Sequence, residues 1–160
     1  MRLQLILAAA CCGLSLFFAE VVLSEESKTE TPLPILPKTA GKVDVDAAKT
    51  LTLTKSGLKY RILRRGDGAR PTAENKVKVN YHGWLNEGKV FDSSYDRGEP
   101  ISFPLNRVIK GWTEGMQLVG EGGMIELEIP SDLGYGPRGA PPTIPANATL
   151  HFLVELIRVQ

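Results

Sequence analysis

The chain has 160 residues, 42% hydrophobic and 23% charged, enough for one globular domain with length to spare. This composition excludes a collagen, a low-complexity polymer and a wholly disordered chain. Nineteen Lys and Arg stand against eighteen Asp and Glu, so no net field draws the protein onto nucleic acid or an anionic membrane, while sixteen glycines and eleven prolines favour turns and strands over helices.

Arg2 is followed by a run, residues 3–23, that is apolar apart from Gln4, Ser15 and Glu20. Its core, residues 5–19, falls short of the roughly 20 residues of a membrane span and has the charged start and apolar middle of an export signal. Val22-Leu23-Ser24 supplies a cleavage site, so residues 1–24 are expected to be a signal peptide, with an uncleaved anchor or lipid attachment at Cys11 as competing outcomes. Both cysteines, Cys11 and Cys12, lie in this segment. The mature chain is therefore expected to have no disulfide, thiol nucleophile or thiolate metal site. Residues 25–55, rich in Glu, Lys and Thr and broken by Pro32, Pro34 and Pro37, predict a mobile linker, although Thr50-Leu51-Thr52-Leu53-Thr54 alternates like a strand at a sheet edge.

The folded domain is placed at residues 56–160. Leu58, Tyr60 and Ile62 alternate with Lys59 and Arg61, and Val77, Val79 and Tyr81 with Lys76, Lys78 and Asn80, which predicts half-buried antiparallel strands. Asn86-Glu87-Gly88-Lys89 predicts a hairpin turn before Val90-Phe91. Two further strands are read from Ile125, Leu127 and Ile129 and from Leu150, Phe152, Val154 and Leu156. One segment has helical spacing: Val108, Ile109, Trp112 and Met116, with Asn106 as the expected cap. Several strands and one helix imply an α+β architecture in which the helix covers one sheet face.

Common catalytic constellations are absent from the sequence. His82 and His151 are far apart, with no carboxylate at ligand spacing, and read as ordinary strand residues rather than metal ligands. Gly120, Gly122 and Gly123 lack the Lys-Ser/Thr of a phosphate loop, Ser93-Ser94 lacks a nucleophile elbow, and Arg61, Arg64 and Arg65 read as a solvated strand face rather than a nucleic-acid footprint. What remains is an excess of apolar groups at strand ends and beside the helix: Tyr81, Phe91, Phe103, Val108, Ile109, Trp112, Tyr135 and Phe152. For each of these alone, core packing is a sufficient explanation.

Four stretches carry more. Phe91-Asp92-Ser93-Ser94, Val108-Ile109-Lys110-Gly111-Trp112, Gly134-Tyr135-Gly136 and Ile144-Pro145-Ala146-Asn147-Ala148-Thr149-Leu150 resemble, in order and spacing, the signature of FKBP-type peptidyl-prolyl cis-trans isomerases. Ser56-Gly57-Leu58-Lys59-Tyr60 and Tyr95-Asp96-Arg97-Gly98-Glu99-Pro100 resemble its exported bacterial branch, which includes the macrophage infectivity potentiator proteins.

The resemblance implies a half-barrel of five or six antiparallel strands wrapped over one short helix. It implies an isomerase of X–Pro bonds that assists folding of exported proteins from the periplasm or as a secreted protein, the other reading being a proline-peptide-binding chaperone with little turnover. Trp112 is then the floor beneath the prolyl ring. Tyr81, Phe91, Val108, Ile109 and Phe152 are walls, with Phe103, Ile101 and Ile144 as further contacts. The Ile109 N–H and the Tyr135 hydroxyl hold peptide carbonyls, and Asp92 sits beside the twisting amide, a turn cap being its structural alternative. Partners implied are proline-containing polypeptides and macrolides of the FK506/rapamycin class, with no cofactor, metal or nucleic acid. The linker leaves no room for a helical dimerisation domain, so a monomer is expected. Ile101 stands where the family often has an aromatic, and Ala140 and Thr143 where it often has a bulkier rim residue.

Overall fold

In the computed structural model, residues 30–160 are described. The expected signal peptide, its cleavage site and both cysteines lie outside the described residues. In chain order the elements are β1 (Thr52–Leu53), β2 (Lys59–Arg64), β3 (Lys76–Leu85), β4 (Val90–Ser93), the one-turn helix α1 (Ser94–Arg97), β5 (Ile101–Pro104), α2 (Lys110–Met116), β6 (Met124–Ile129) and β7 (Leu150–Val159). Short 3-10 turns occupy Leu105–Arg107, Ser131–Leu133 and Gly136–Arg138.

The strands form one antiparallel sheet in the order β1-β2-β6-β7-β3-β4, and β5 pairs with the first half of β3 while β4 pairs with the second. The α+β class and the sheet over a short helix are as the sequence implies. Among the described residues the sheet has seven strands, since both β1 and β5 join it. Period-2 alternation sends Val77, Val79, Tyr81 and Leu85 of β3 to the concave face together with Leu150, Phe152, Val154 and Leu156 of β7, all buried. Helix α2 closes this face with Trp112 and Met116. Each fully buried aliphatic side chain contributes roughly 1.5–3 kcal/mol, so this single cluster dominates stability.

The helix lies unusually close to β6. A Cβ on Gly111 would stand 2.5 Å from Ile129 Cγ2, and one on Gly115 would stand 2.6 Å from Leu127 Cδ2. Both glycines are required by close approach rather than by backbone conformation. The helix also begins later than its cap signal predicts. Asn106 lies in a 3-10 turn and donates to Glu74 Oε2 at 3.2 Å, while the β-branched pair Val108 and Ile109 is extended, so α2 starts at Lys110. Thr113 Oγ1 donates to the Leu105 carbonyl at 2.6 Å and ties turn to helix.

The convex face differs from the sequence expectation in one respect. Where a mobile linker and a solvated Arg61 are predicted, residues 30–49 lie along the sheet and bury Arg61 to 1% exposure. Its guanidinium pairs with Glu126 and donates to the carbonyls of Thr31 (2.6 Å), Lys49 (3.3 Å) and Pro32. Asp44 N–H donates to the Leu63 carbonyl at 2.8 Å, and Ala40 and Val43 pack on Leu63, Met124 and Leu153. A guanidinium with five fixed donors gathers carbonyls from a segment that has no pairing pattern of its own, which is why composition reads as disorder what contact makes ordered. Burial pushes the Glu126 carboxyl above its usual range against the opposing pull of Arg61. Arg61→Ala leaves Glu126 and the carbonyls of Thr31 and Pro32 without their partner, the Lys49 carbonyl keeping its bond from Thr31 N–H, and is expected to cost about 3–5 kcal/mol in urea unfolding. A loss under about 1 kcal/mol would mean that residues 30–49 do not seat on this face in solution.

Candidate active site

One end of the concave face is left uncovered by α2 and forms a cavity of about 630 Å³. Every element around it contributes. β3 brings Tyr81, β4 Phe91 and Asp92, and β5 Ile101 and Phe103; the segment before α2 brings Val108 and Ile109, α2 Trp112, and β7 Phe152. The loop after β6 supplies Tyr135 and Ile144, so all eleven residues singled out in the sequence stand around one cavity, joined by Arg107, Ala140 and Thr143.

The floor is held edge-on by its neighbours. Trp112 meets Phe152 at 5.1 Å between centroids and 89°, Tyr81 at 5.4 Å and 86°, and Phe103 at 5.3 Å and 61°. Phe91 in turn packs edge-on against Phe152 at 5.4 Å. Such T-shaped pairs suit the ring quadrupoles and lock the rotamers of the wall. Gly83 makes this possible, since a Cβ there would lie 2.8 Å from both Phe91 and Phe152. Ile101 and Tyr135 sit at the mouth, about two-fifths exposed. Ile144 is held against Ala140 by reciprocal backbone bonds of 2.9 and 3.0 Å, which fix the far wall.

The one carboxylate of the cavity wall is paired. The Asp92 carboxylate accepts from the Tyr81 hydroxyl and from Arg97, and Arg97 Nη2 also donates to the Tyr81 oxygen at 2.7 Å, with its guanidinium 5.5 Å from the Tyr81 ring centre. Burial pushes the Asp92 carboxyl up, but the bonds from Tyr81 and Arg97 and the Arg97 charge outweigh it and hold the group below its usual range. Burial and the Asp92 acceptor raise the Tyr81 phenol, Arg97 opposing.

Arg97 escaped sequence reasoning. It reaches Asp92 because Ser93 caps the one-turn helix α1, its hydroxyl accepting from Asp96 N–H at 3.3 Å, and because Gly98 ends the turn at φ 77°. An acid and a base five residues apart would have been the only signal. Ser94 is buried and accepts from Tyr81 N–H at 2.9 Å, fastening α1 to β3. His82 and His151 lie on the opposite face of the sheet, flanking Trp84 at 5.8 and 5.6 Å, so neither faces the cavity.

A curved antiparallel sheet over one short helix thus frames an aromatic cavity whose one carboxylate, Asp92, is paired by Arg97 and Tyr81. The family profile for FKBP-type peptidyl-prolyl cis-trans isomerases matches residues 68–157, and the chain belongs to that family. It is 44% identical over 143 residues to a probable FKBP-type isomerase of Haemophilus influenzae, covering 88% of this chain and 59% of that protein. The crystal structure of FkpA from Escherichia coli superposes with a TM-score of 0.68 at 48% identity, over 71% of this chain and 53% of that one. The peptidyl-prolyl cis-trans isomerase of Pseudomonas syringae pv. tomato gives 0.65 at 38%, over 69% and 80%. This chain spans about two-fifths to three-fifths of the length of the curated relatives it matches.

Burial is the larger cause of the raised Tyr81 phenol and the Asp92 acceptor the next, so Asp92→Ala is expected to move the pH at which that phenol ionises down, toward its ordinary value. Ultraviolet absorbance titration, with Tyr81→Phe to assign the transition, reads this directly; an unmoved transition would place the carboxylate elsewhere.

Proposed function

We propose that the chain is a peptidyl-prolyl cis-trans isomerase acting on exported polypeptides. The reading rests above all on Trp112, a buried ring braced by three aromatic edges at the base of an open apolar cavity. An X–Pro amide resists rotation by about 18–20 kcal/mol because resonance stiffens its C–N bond. In the twisted state that resonance is lost, the amide is less polar, and removal from water penalises it less than the planar forms. With the prolyl ring on Trp112, the amide enters a wall of Phe91, Phe152 and Tyr81, with the Asp92 carboxylate at its edge.

Two donors suit the peptide carbonyls. Among the described residues the Ile109 N–H makes no hydrogen bond within the chain, and the Tyr135 hydroxyl at the mouth is likewise unengaged. Held by these, the flanking peptide stays still while the amide rotates, converting binding energy into orientation. Lowering the barrier by about 5 kcal/mol corresponds to a few-thousandfold acceleration. A macrolide of the FK506/rapamycin class would use the same floor and donors, and the small Ala140 and Thr143 leave room for it at the rim. The export signal read in residues 1–24 supports action outside the cytosol, and we take the working unit to be a monomer.

A direct isomerisation assay on a short X–Pro peptide tests the activity. Acceleration is expected, together with a change in Trp112 emission over a constant background from Trp84 on the opposite face. A peptide-induced emission change with no acceleration would make the domain a binding module. The pH dependence follows from the two perturbed groups. Asp92 is ionised above its lowered value and Tyr81 neutral below its raised one, so kcat/KM is expected to stay flat from about pH 5 to about pH 9 and to fall only in strong acid, as Asp92 is protonated, or in strong alkali, as Tyr81 ionises. Asp92→Ala is expected to lower kcat/KM by about tenfold or more with little change in urea midpoint; equal loss of both would make Asp92 structural.

A further inference from the structure

We propose that the cavity rim selects peptides carrying an acidic side chain beside the proline, with Arg107 as the specificity-determining residue; this rests on the isomerase reading above. Arg107 lines the cavity, is exposed, and ends the 3-10 turn two residues before the Ile109 N–H. Among the described residues it makes neither a salt bridge nor a hydrogen bond. Four other arginines are engaged: Arg61 by Glu126, Arg64 by Glu155, Arg65 by Asp46 and Arg97 by Asp92.

The surroundings reinforce the charge. The two segments that frame this side of the mouth, residues 105–110 and 134–144, contain Arg107, Lys110 and Arg138 and no Asp or Glu. Asp92 is the one acid of the cavity wall, and its carboxylate is taken by Arg97 and Tyr81. The mouth therefore presents an uncompensated cation at the edge of an apolar surface, where neighbouring low-dielectric walls strengthen a charge pair. A peptide carbonyl held by the Ile109 N–H places the adjoining residue over Val108 and Arg107. A Glu or Asp there can take charge-assisted bonds from the guanidinium fork, whereas a Lys meets like charge.

The pair is exposed, so the preference is modest: about three- to fivefold. The test uses two sets of otherwise identical short peptides, with Glu, Gln or Lys immediately after the proline in one set and immediately before it in the other. At low salt, kcat/KM for Glu over Lys is expected to reach about three- to fivefold in at least one set, with Gln between. Arg107→Gln should bring that ratio to about one, Arg107→Lys should retain it, and about 1 M salt should collapse it. A ratio of one in both sets, or a preference that survives Arg107→Gln, overturns the proposal while the isomerase reading stands. Should no peptide be isomerised, the activity reading fails, and binding of the same peptides followed by Trp112 emission still decides whether Arg107 sets the charge preference.

Discussion

The close seating of α2 on β6 is the constraint on which the rest of the molecule depends. Gly111 and Gly115 remove the side chains that would collide with Ile129 and Leu127, and the helix backbone drops onto the sheet. Seven residues of helix extend only about 10 Å, whereas ten residues of β3 or β7 run about 33 Å. One short helix therefore cannot cover the concave face. The uncovered end must either be filled by side chains or remain a cavity, and here it is lined by rings that stand on edge against Trp112 and leave the space open. The site is thus what is left over when the core is complete.

Placing an apolar cavity beside a carboxylate raises a conflict that the rim resolves. An unpaired Asp92 next to Phe91 would either recruit water or take up a proton, and both would interrupt the apolar surface. Arg97 and the Tyr81 hydroxyl supply the missing partners, so the charge is present but compensated. Ser93 and Ser94 have no chemistry of their own to perform. They fold α1 and fasten it to β3, and through that they set where Arg97 can reach.

The convex face solves a different problem. A sheet covered by a helix on one side exposes its other side to water, and β2 and β6 there carry Arg61 and Glu126. Burying that pair under residues 30–49 would be costly without further partners, and the carbonyls of Thr31, Pro32 and Lys49 provide them. The two faces are independent in chemistry yet joined through the same strands. Arg61 sits between Tyr60 and Ile62, which pack against the core beneath.

Much of this was legible along the chain. Alternation in residues 76–85 and 150–156 determined which side chains face the helix, because a strand's period of two leaves no other choice once one face is apolar. The spacing of Trp112 and Met116 determined that a helix would meet them, and four short motifs placed Phe91, Asp92, Val108, Ile109, Trp112, Tyr135 and Ile144 in one family pattern. Only the tertiary structure decided the rest. The start of α2, the pairing of Arg97 with Asp92, the burial of Arg61 and, among the described residues, the unpaired state of Arg107 each depend on which groups the fold brings within hydrogen-bond reach. Local pattern records the face a residue presents, since periodicity is a property of neighbours. Whether a charge on that face is paired, buried or free is a property of the contacts that folding brings together, which for Arg61 lie 12 to 65 residues away in the chain, and periodicity does not encode them.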